Sequence, residues 1–231
     1  MKFGEVNLEW LGHAGFLITS GGVSSEGEKN SRIIYIDPYN IREDSKKADV
    51  ILLTHSHYDH CSIEDMNKII KDGTRIVMTA DCQSNIARFD VPIKMEVIGP
   101  GQEINLLGMK ISAVPSYNVD KHFHSKEEHW VGYLIKIGKV LIYHAGDSDL
   151  IPEMHKLTGH KKRGVDFVAL LPIGGRFTMS AEEAAEAAKI IKPTIAIPMH
   201  YGSIVGSQED AEEFAELCKE YGIETKILEK S

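Results

Sequence analysis

The chain has 231 residues, 42% of them hydrophobic, and a formal net charge of −8. This length suits a domain with a sizeable core, and the acidic balance argues against a general attraction to nucleic acid or to anionic membranes. No apolar run reaches the ~20 residues of a membrane helix, and the first residues show no signal peptide. The three cysteines form no C-x-x-C pair, which argues against disulfides. We therefore expect a cytoplasmic protein.

The first predicted elements are strands separated by a glycine-rich turn. Residues 5–9 alternate as a strand does, and the segment from Trp10 to Ile18 combines a turn with an apolar strand. His13 lies at that turn, where a single histidine is usually structural. Residues 32–36 form another apolar strand, which ends at Asp37; taken alone, this aspartate is typical of a turn.

The densest cluster of metal-binding residue types directly follows the predicted strand 50–53. In the sequence THSHYDH, three histidines and an aspartate lie within six residues. Side chains alternate in an extended segment, so His55, His57 and Asp59 can point the same way, and a turn can bring His60 to the same cavity. Imidazole and carboxylate groups together suit zinc and similar divalent ions.

Two helix starts can be recognised from their capping residues. Ser62 precedes Asp65 by three residues, which predicts a helix over 63–71, and Ser180 with Glu183 forms a capping box for a helix ending near Ile191. A last helix is expected over 208–221 and is followed by a strand over 223–228.

The second half of the chain repeats the pattern of polar residues at strand ends. A polar loop, 115–128, follows a strand and contains His122 and His124. The hairpin 131–143 leads into HAGDSD, which contains Asp147, and the buried strand 194–198 leads into MHYG, which contains His200. Loops at strand ends commonly carry functional residues.

Four of these segments, WLGH, HSHYDH, HAGDSD and PMHYG, resemble the motifs of the metallo-β-lactamase superfamily, and the resemblance spans nearly the whole chain. It implies a single α/β domain, residues 1–231, with the four-layer αβ/βα sandwich of the metallo-β-lactamase fold. The site would lie along one edge, where both halves contribute strand-end loops.

The resemblance also implies a role for each motif residue. The first metal would be bound by His55 and His57, the second by Asp59, His60 and His200, and both by Asp147. Asp59 could also orient the nucleophile and move a proton, His13 would face the substrate unless it is structural, and Asp37 would support the metal ligands. Two zinc ions, or manganese, would provide a hydroxide for hydrolysis.

The chain resembles cytoplasmic hydrolases of the sugar-phosphate lactonase and phospholipase-D-like branches most closely. Redox relatives that bind iron have glutamate at the position of His57, which argues against oxygen chemistry. We therefore expect hydrolysis of a small ester, lactone or phosphodiester, with no nucleic-acid or membrane partner; the sequence leaves the oligomeric state open.

One departure from the family motif keeps a second hypothesis open. Asn118 stands where relatives have a histidine that binds the first metal, and amide oxygen is a poor zinc ligand. The missing histidine ligand could be replaced by the Asn118 side-chain oxygen or by a histidine further along the loop. Of the two histidines there, His124 is favoured over His122. The alternative is that both histidines face solvent or substrate. Without a replacement, the first metal should bind weakly and one ion could be lost on purification. The alternative function that this departure keeps open is a non-catalytic member that binds a metabolite or a partner.

Overall fold

The structure, a computed structural model, describes residues 1–23, 29–86 and 89–231. These residues form two compact units, each built on one mixed β-sheet. The first unit comprises Met1–Ile98 with Glu229–Ser231, and the second comprises Gly99–Leu228. The expectation that residues 1–231 form a single domain stays a prediction.

The sheet of the first unit has, within the described residues, seven strands in sequence order. They are β1 (Lys2–Phe3), β2 (Val6–Gly12), β3 (Gly15–Val23), β4 (Lys29–Ile36), β5 (Val50–Leu52), β6 (Arg75–Met78) and β7 (Lys94–Val97). β1 to β4 are antiparallel and β4 to β7 are parallel. Ile36 and Leu52 are paired at the ends of β4 and β5, so the loops that follow these two strands start side by side.

Helix α1 (Ile63–Ile69) connects β5 to β6. The Ser62 hydroxyl accepts a hydrogen bond from the Asp65 N–H, which confirms the predicted cap. Met66 and Ile69 are fully buried in the same core cluster as Ile51 of β5. Burying an aliphatic side chain of this size contributes roughly 1.5–3 kcal/mol, so this packing holds the loop before α1 firmly.

The sheet of the second unit has six strands in the described part of the chain, in the order β13-β12-β11-β10-β9-β8. They are β8 (Glu103–Leu106), β9 (Met109–Pro115), β10 (Val131–Ile137), β11 (Val140–His144), β12 (Asp166–Pro172) and β13 (Ile195–Met199). β11, β12 and β13 run parallel, and the other neighbours are antiparallel. Parallel strands present their carboxyl ends at one edge, so the loops after β11 and β13 emerge on the same side.

Helices α2 (Ala181–Ile191) and α3 (Gln208–Glu220) belong to the second unit and contact each other. The capping box of Ser180 and Glu183 is present as predicted. The predicted strand over 223–228 is wrong, because this segment pairs with β13 only at Ala196. Among the described helices, none combines the length and apolar character required to cross a membrane.

Candidate metal centre

The loop between β5 and α1 carries the four predicted ligands of the first unit. His55 Nε2 lies 3.1 Å from His57 Nδ1, and His60 Nε2 lies 3.7 Å from Asp59 Oδ2. The backbone N–H of His60 donates to the carbonyl of His57, which forms the turn that the sequence suggested. His55 and His60 are buried, with ring centroids 4.1 Å apart. The loop therefore gathers imidazole and carboxylate groups at one place.

Asp37 holds the β5–α1 loop in place through hydrogen bonds. It is fully buried, and its carboxylate accepts from the Thr54 N–H at 2.9 Å and from the Thr54 hydroxyl at 2.6 Å. The same carboxylate lies 2.9 Å from His60 Nδ1. A simple turn former would not make these three contacts, which tie Asp37 to the loop that carries His60; its role as a support for metal ligands stays a prediction.

These hydrogen bonds also determine which ring nitrogens can bind a metal. A carboxylate only accepts, so the His60 Nδ1 that contacts Asp37 carries the proton. The Thr54 hydroxyl has one proton, which it donates to Asp37, so it accepts from His55 Nδ1 at 2.9 Å. In both histidines, Nε2 is left with its lone pair. Supporting contacts of this kind fix the tautomer and orientation of metal-binding histidines.

His13 contacts the predicted catalytic carboxylate directly. Its Nε2 lies 2.8 Å from Asp59 Oδ2, and its ring meets the His60 ring edge-on at 5.4 Å. Only 2% of the residue is exposed, and its backbone has φ of 51°, a left-handed conformation that is uncommon outside glycine. The Trp10 indole N–H donates to the His13 carbonyl at 2.9 Å and fixes the turn. His13, Asp59 and His60 can each place a ligand atom within 4.8 Å of the others.

Replacing His13 with alanine is expected to lower kcat about 10- to 100-fold without removing bound metal. The physical reason is that Asp59 loses the partner that holds Oδ2, while every side chain predicted to bind metal, Asp59 included, is still present. His13→Asn is the matched control, because asparagine tolerates a left-handed backbone and keeps a polar side chain. Steady-state kinetics together with metal analysis checks this. Loss of metal would make His13 a ligand, and unchanged kinetics would return it to a purely structural role.

In the second unit, Asp147 lies between two histidines. His200 Nε2 is 3.0 Å and His124 Nε2 is 3.4 Å from Asp147 Oδ2. All three residues are at most 5% exposed. Asp147 follows β11 and His200 follows β13, so the parallel order of these strands brings the two together.

Two glycines allow the backbone to approach closely here. Gly146, directly before Asp147, has φ of 66°, and a Cβ at this position would lie 2.8 Å from both the Ser116 hydroxyl oxygen and the Val131 carbonyl oxygen. At Gly174, a Cβ would lie 2.8 Å from the His200 carbonyl oxygen. Any side chain would collide with backbone at both places, so these glycines are required for the loops to hold their residues in position.

The polar loop after β9 places its candidate residues differently. Asn118 and His124 are buried, whereas His122 is exposed. Asn118 Nδ2 donates to the Phe177 carbonyl at 2.7 Å, and His124 Nδ1 lies 3.0 Å from the same oxygen. The role of Phe177 could not be predicted from the sequence, because it contributes its backbone carbonyl, which every residue type has. The role of Thr54, whose only signal is its place beside His55, could not be predicted either.

The sequence candidates thus form two groups, one in each unit. The first unit brings together His13, His55, His57, Asp59 and His60. The second brings together Asn118, His124, Asp147 and His200. Both groups consist mainly of buried imidazole and carboxylate side chains, a combination suited to zinc and to similar divalent ions.

Comparison with known proteins identifies the family. The family model described as the beta-lactamase superfamily domain matches residues 7–200. A UPF0173 metal-dependent hydrolase from Methanopyrus kandleri is 33% identical, over 96% of this chain and 96% of that protein. A UPF0173 metal-dependent hydrolase from Pyrococcus horikoshii is 36% identical, over 92% of each chain.

Solved structures agree with this relationship. A crystal structure from Parabacteroides distasonis, named as a putative metal-dependent hydrolase, has a TM-score of 0.80 and 27% identity, and covers 98% of this chain and 94% of that one. The metallo hydrolase Igni18 from Ignicoccus hospitalis has the same fold, with a TM-score of 0.74 and 24% identity, over 98% and 96% of the two chains. The two mixed sheets with their helices are those of the αβ/βα sandwich fold, which confirms the predicted fold class. The chain belongs to the metallo-β-lactamase superfamily, among its metal-dependent hydrolases.

Proposed function

We propose that this protein hydrolyses a small ester, lactone or phosphodiester with the help of two divalent ions, zinc or manganese. The observation that carries the proposal is the arrangement of the β5–α1 loop. Thr54 and Asp37 orient the rings of His55 and His60 through protonated Nδ1 atoms, so that in each ring Nε2 carries the lone pair that a metal ligand needs. A loop whose buried histidines share one fixed tautomer fits a metal ion well.

The ligand roles follow from the motifs of the family. We propose that one ion is bound by His55 and His57, the other by Asp59, His60 and His200, and that Asp147 is shared between the ions. When bound, such ions lower the pKa of coordinated water toward about 7 and polarise a carbonyl or phosphoryl oxygen.

The protein's own residues would control the proton. Asp59 is held by His13 through Oδ2, so its carboxylate keeps one orientation. From there it can orient the attacking water, accept its proton and later return a proton to the leaving group. His13 thus acts by positioning Asp59, which agrees with the hydrogen bond between them.

Removal of metal tests this proposal. Purified protein treated with dipicolinate and then desalted is expected to lose its hydrolysis of p-nitrophenyl acetate, γ-butyrolactone or bis(p-nitrophenyl) phosphate. Zinc or manganese should restore the activity, because the His and Asp side chains remain in place. Parallel metal analysis would show about two ions per chain after reconstitution. Full turnover by the metal-free protein would contradict the proposal.

The second candidate function is a non-catalytic member that binds a metabolite or a partner. It is favoured by Asn118, which replaces a metal-binding histidine of the family. This alternative predicts that the protein neither retains zinc or manganese after reconstitution nor hydrolyses any of the three substrates. The same experiment therefore separates the two functions.

A further inference from the structure

We propose that the second unit carries a binding site for a small organic anion, which has a phosphate or carboxylate group on a short apolar body. The site is a cavity of about 360 Å³ formed by β8 to β11 and the loop 160–165. Small-molecule sites measure about 300–1,000 Å³. The inference goes beyond the proposed function, because Leu141 in the cavity lies near the start of β11, whereas Asp147 follows the end of that strand.

The strand register places the cavity's side chains on one face of the sheet. Lys136 of β10 pairs with Lys110 of β9 on one side and with Leu141 of β11 on the other. Leu134, two residues earlier on β10, pairs with Ser112 of β9. Directly paired residues, and residues two apart on a strand, point to the same face of a sheet. Cationic groups and apolar surface therefore lie side by side in this cavity.

The charges at the cavity are unbalanced. Three lysines, Lys110, Lys136 and Lys162, line it together with a single carboxylate, Glu103. Glu103 forms an ion pair with Lys110 at 2.9 Å and accepts a hydrogen bond from the Ser112 hydroxyl at 3.4 Å. Among the described residues, no carboxylate forms an ion pair with Lys136 or Lys162. In a chain of net charge −8, this local excess of positive charge attracts anions to the cavity.

The pairing of Lys110 with Lys136 favours a ligand of negative charge. Like charges directly opposite each other on neighbouring strands destabilise a sheet. Lys110 and Lys136 occupy such a pair, and Glu103 neutralises only Lys110. Local arrangements that cost stability are expected at functional sites. An anion bound beside Lys136 would remove the repulsion, which is the physical reason for assigning this class of ligand.

The loop 160–165 provides a further wall that is formed without a ligand. The Val165 N–H donates to the Lys162 carbonyl at 3.0 Å, which closes a turn. The His160 ring meets the buried Phe167 ring edge-on, with centroids 5.9 Å apart. These contacts keep the loop's side chains at the cavity, in line with the largely pre-formed character of small-molecule sites.

His160 adds a hydrogen-bonding group to this wall. Burial and, second, the charge of Lys162 lower its pKa, so the imidazole is neutral at neutral pH and can donate one N–H to an anion. The charged groups at the cavity are Glu103 of β8, Lys110 of β9, Lys136 of β10 and Lys162 of the same loop. A bound anion would stabilise the imidazolium and raise the pKa of His160, which provides an independent measure of binding.

The apolar side chains of the cavity indicate that the anion carries an apolar body. Leu141 is buried, and Leu134 and Val165 are partly exposed at the cavity. An inorganic ion would leave these side chains in contact with water. A ligand that covers them gains from the removal of apolar surface from water, so a small organic anion fits the cavity better than free phosphate does.

Titration of the full chain with phenylphosphonate, followed by proton–nitrogen correlation NMR, tests the proposal. Its carbon–phosphorus bond resists hydrolysis, so the probe stays intact. We expect saturable shifts of the amide signals of residues 134–141 and 160–165, and a rise in the pKa of His160. Lys136→Ala and Lys162→Ala should each weaken binding about 3- to 5-fold, and the double variant at least about 10-fold. Lys219→Ala removes an exposed charge from α3 as the matched control, and it should bind as the wild type does.

Related compounds test the chemistry of the ligand. Benzyl alcohol lacks the charge and inorganic phosphate lacks the apolar body, so both should bind at least about 5-fold more weakly than phenylphosphonate. Benzoate carries a carboxylate on the same ring, and the tighter of the two organic anions identifies the head group. Equal affinity of the double variant and the wild type would overturn the proposal, as would equal binding of benzyl alcohol or of inorganic phosphate. Shifts confined to the loops that carry Asp147 and His200 would overturn it too, because the anion would then bind at the metal ligands.

Discussion

Replacing Asp147 with alanine is expected to abolish hydrolysis, with a fall in kcat of at least about 1,000-fold, and to lower the bound metal to one ion or none. In the proposed site, Asp147 would be shared by two cations and would offset their mutual repulsion, so without it the two ions should not stay close together. Asp147 is 4% exposed and its Oδ2 lies within 3.4 Å of two histidine nitrogens. Removing it leaves His124 and His200 without the anion between them.

The measurements are metal content after reconstitution, kcat, and the midpoint of thermal unfolding. Asp120→Ala is the matched control, because it removes an exposed carboxylate from the loop that carries His124. It should leave all three quantities unchanged. Asp147→Asn keeps the shape of the side chain and removes only its charge, so it should resemble Asp147→Ala in metal content. Two retained ions with normal kcat in Asp147→Ala would disprove its role as a shared ligand.

Much of the candidate site could be predicted because its residues lie at the ends of strands. His55 follows β5, Asp147 follows β11 and His200 follows β13, and each of these strands is a short apolar run. The parallel order of the strands places such ends at one edge of their sheet. The hydrophobic pattern locates these strand ends, and the resemblance to the superfamily's motifs singles out the candidates among the polar residues there.

Contacts between distant residues could not be predicted in the same way. His13 meets Asp59 across 46 positions, and Asn118 meets the Phe177 carbonyl across 59. Both pairs are created by the tertiary fold, and a carbonyl oxygen is present in every residue. The wrong prediction of a strand over 223–228 has a similar cause. The apolar pattern of that segment is strand-like, but the segment exchanges hydrogen bonds with β13 only at Ala196.

Replacing Asp37 with alanine should show how strongly the fold and the metal loop depend on each other. The change would leave three buried groups without their acceptor: the Thr54 N–H, the Thr54 hydroxyl and His60 Nδ1. Each unsatisfied buried donor costs about 1–3 kcal/mol, with partial relief where the Thr54 hydroxyl can rotate. We therefore expect the free energy of unfolding to fall by about 3 kcal/mol. Chemical denaturation of the metal-free protein measures this loss apart from metal binding.

The same substitution is expected to weaken metal binding 10- to 100-fold, since His60 loses the contact that fixes its tautomer. Asp37→Asn is the matched variant. Placed where Oδ2 lies, its amide oxygen can accept from both the Thr54 hydroxyl and His60 Nδ1, whereas its NH₂ group then opposes the Thr54 N–H. Its effects should therefore be smaller and in the same direction. Zinc affinity is measured by competition with a chromogenic chelator, using proteins shown to be folded by circular dichroism. Wild-type zinc affinity in a folded Asp37→Ala protein would mean that Asp37 stabilises the turn alone and does not orient His60.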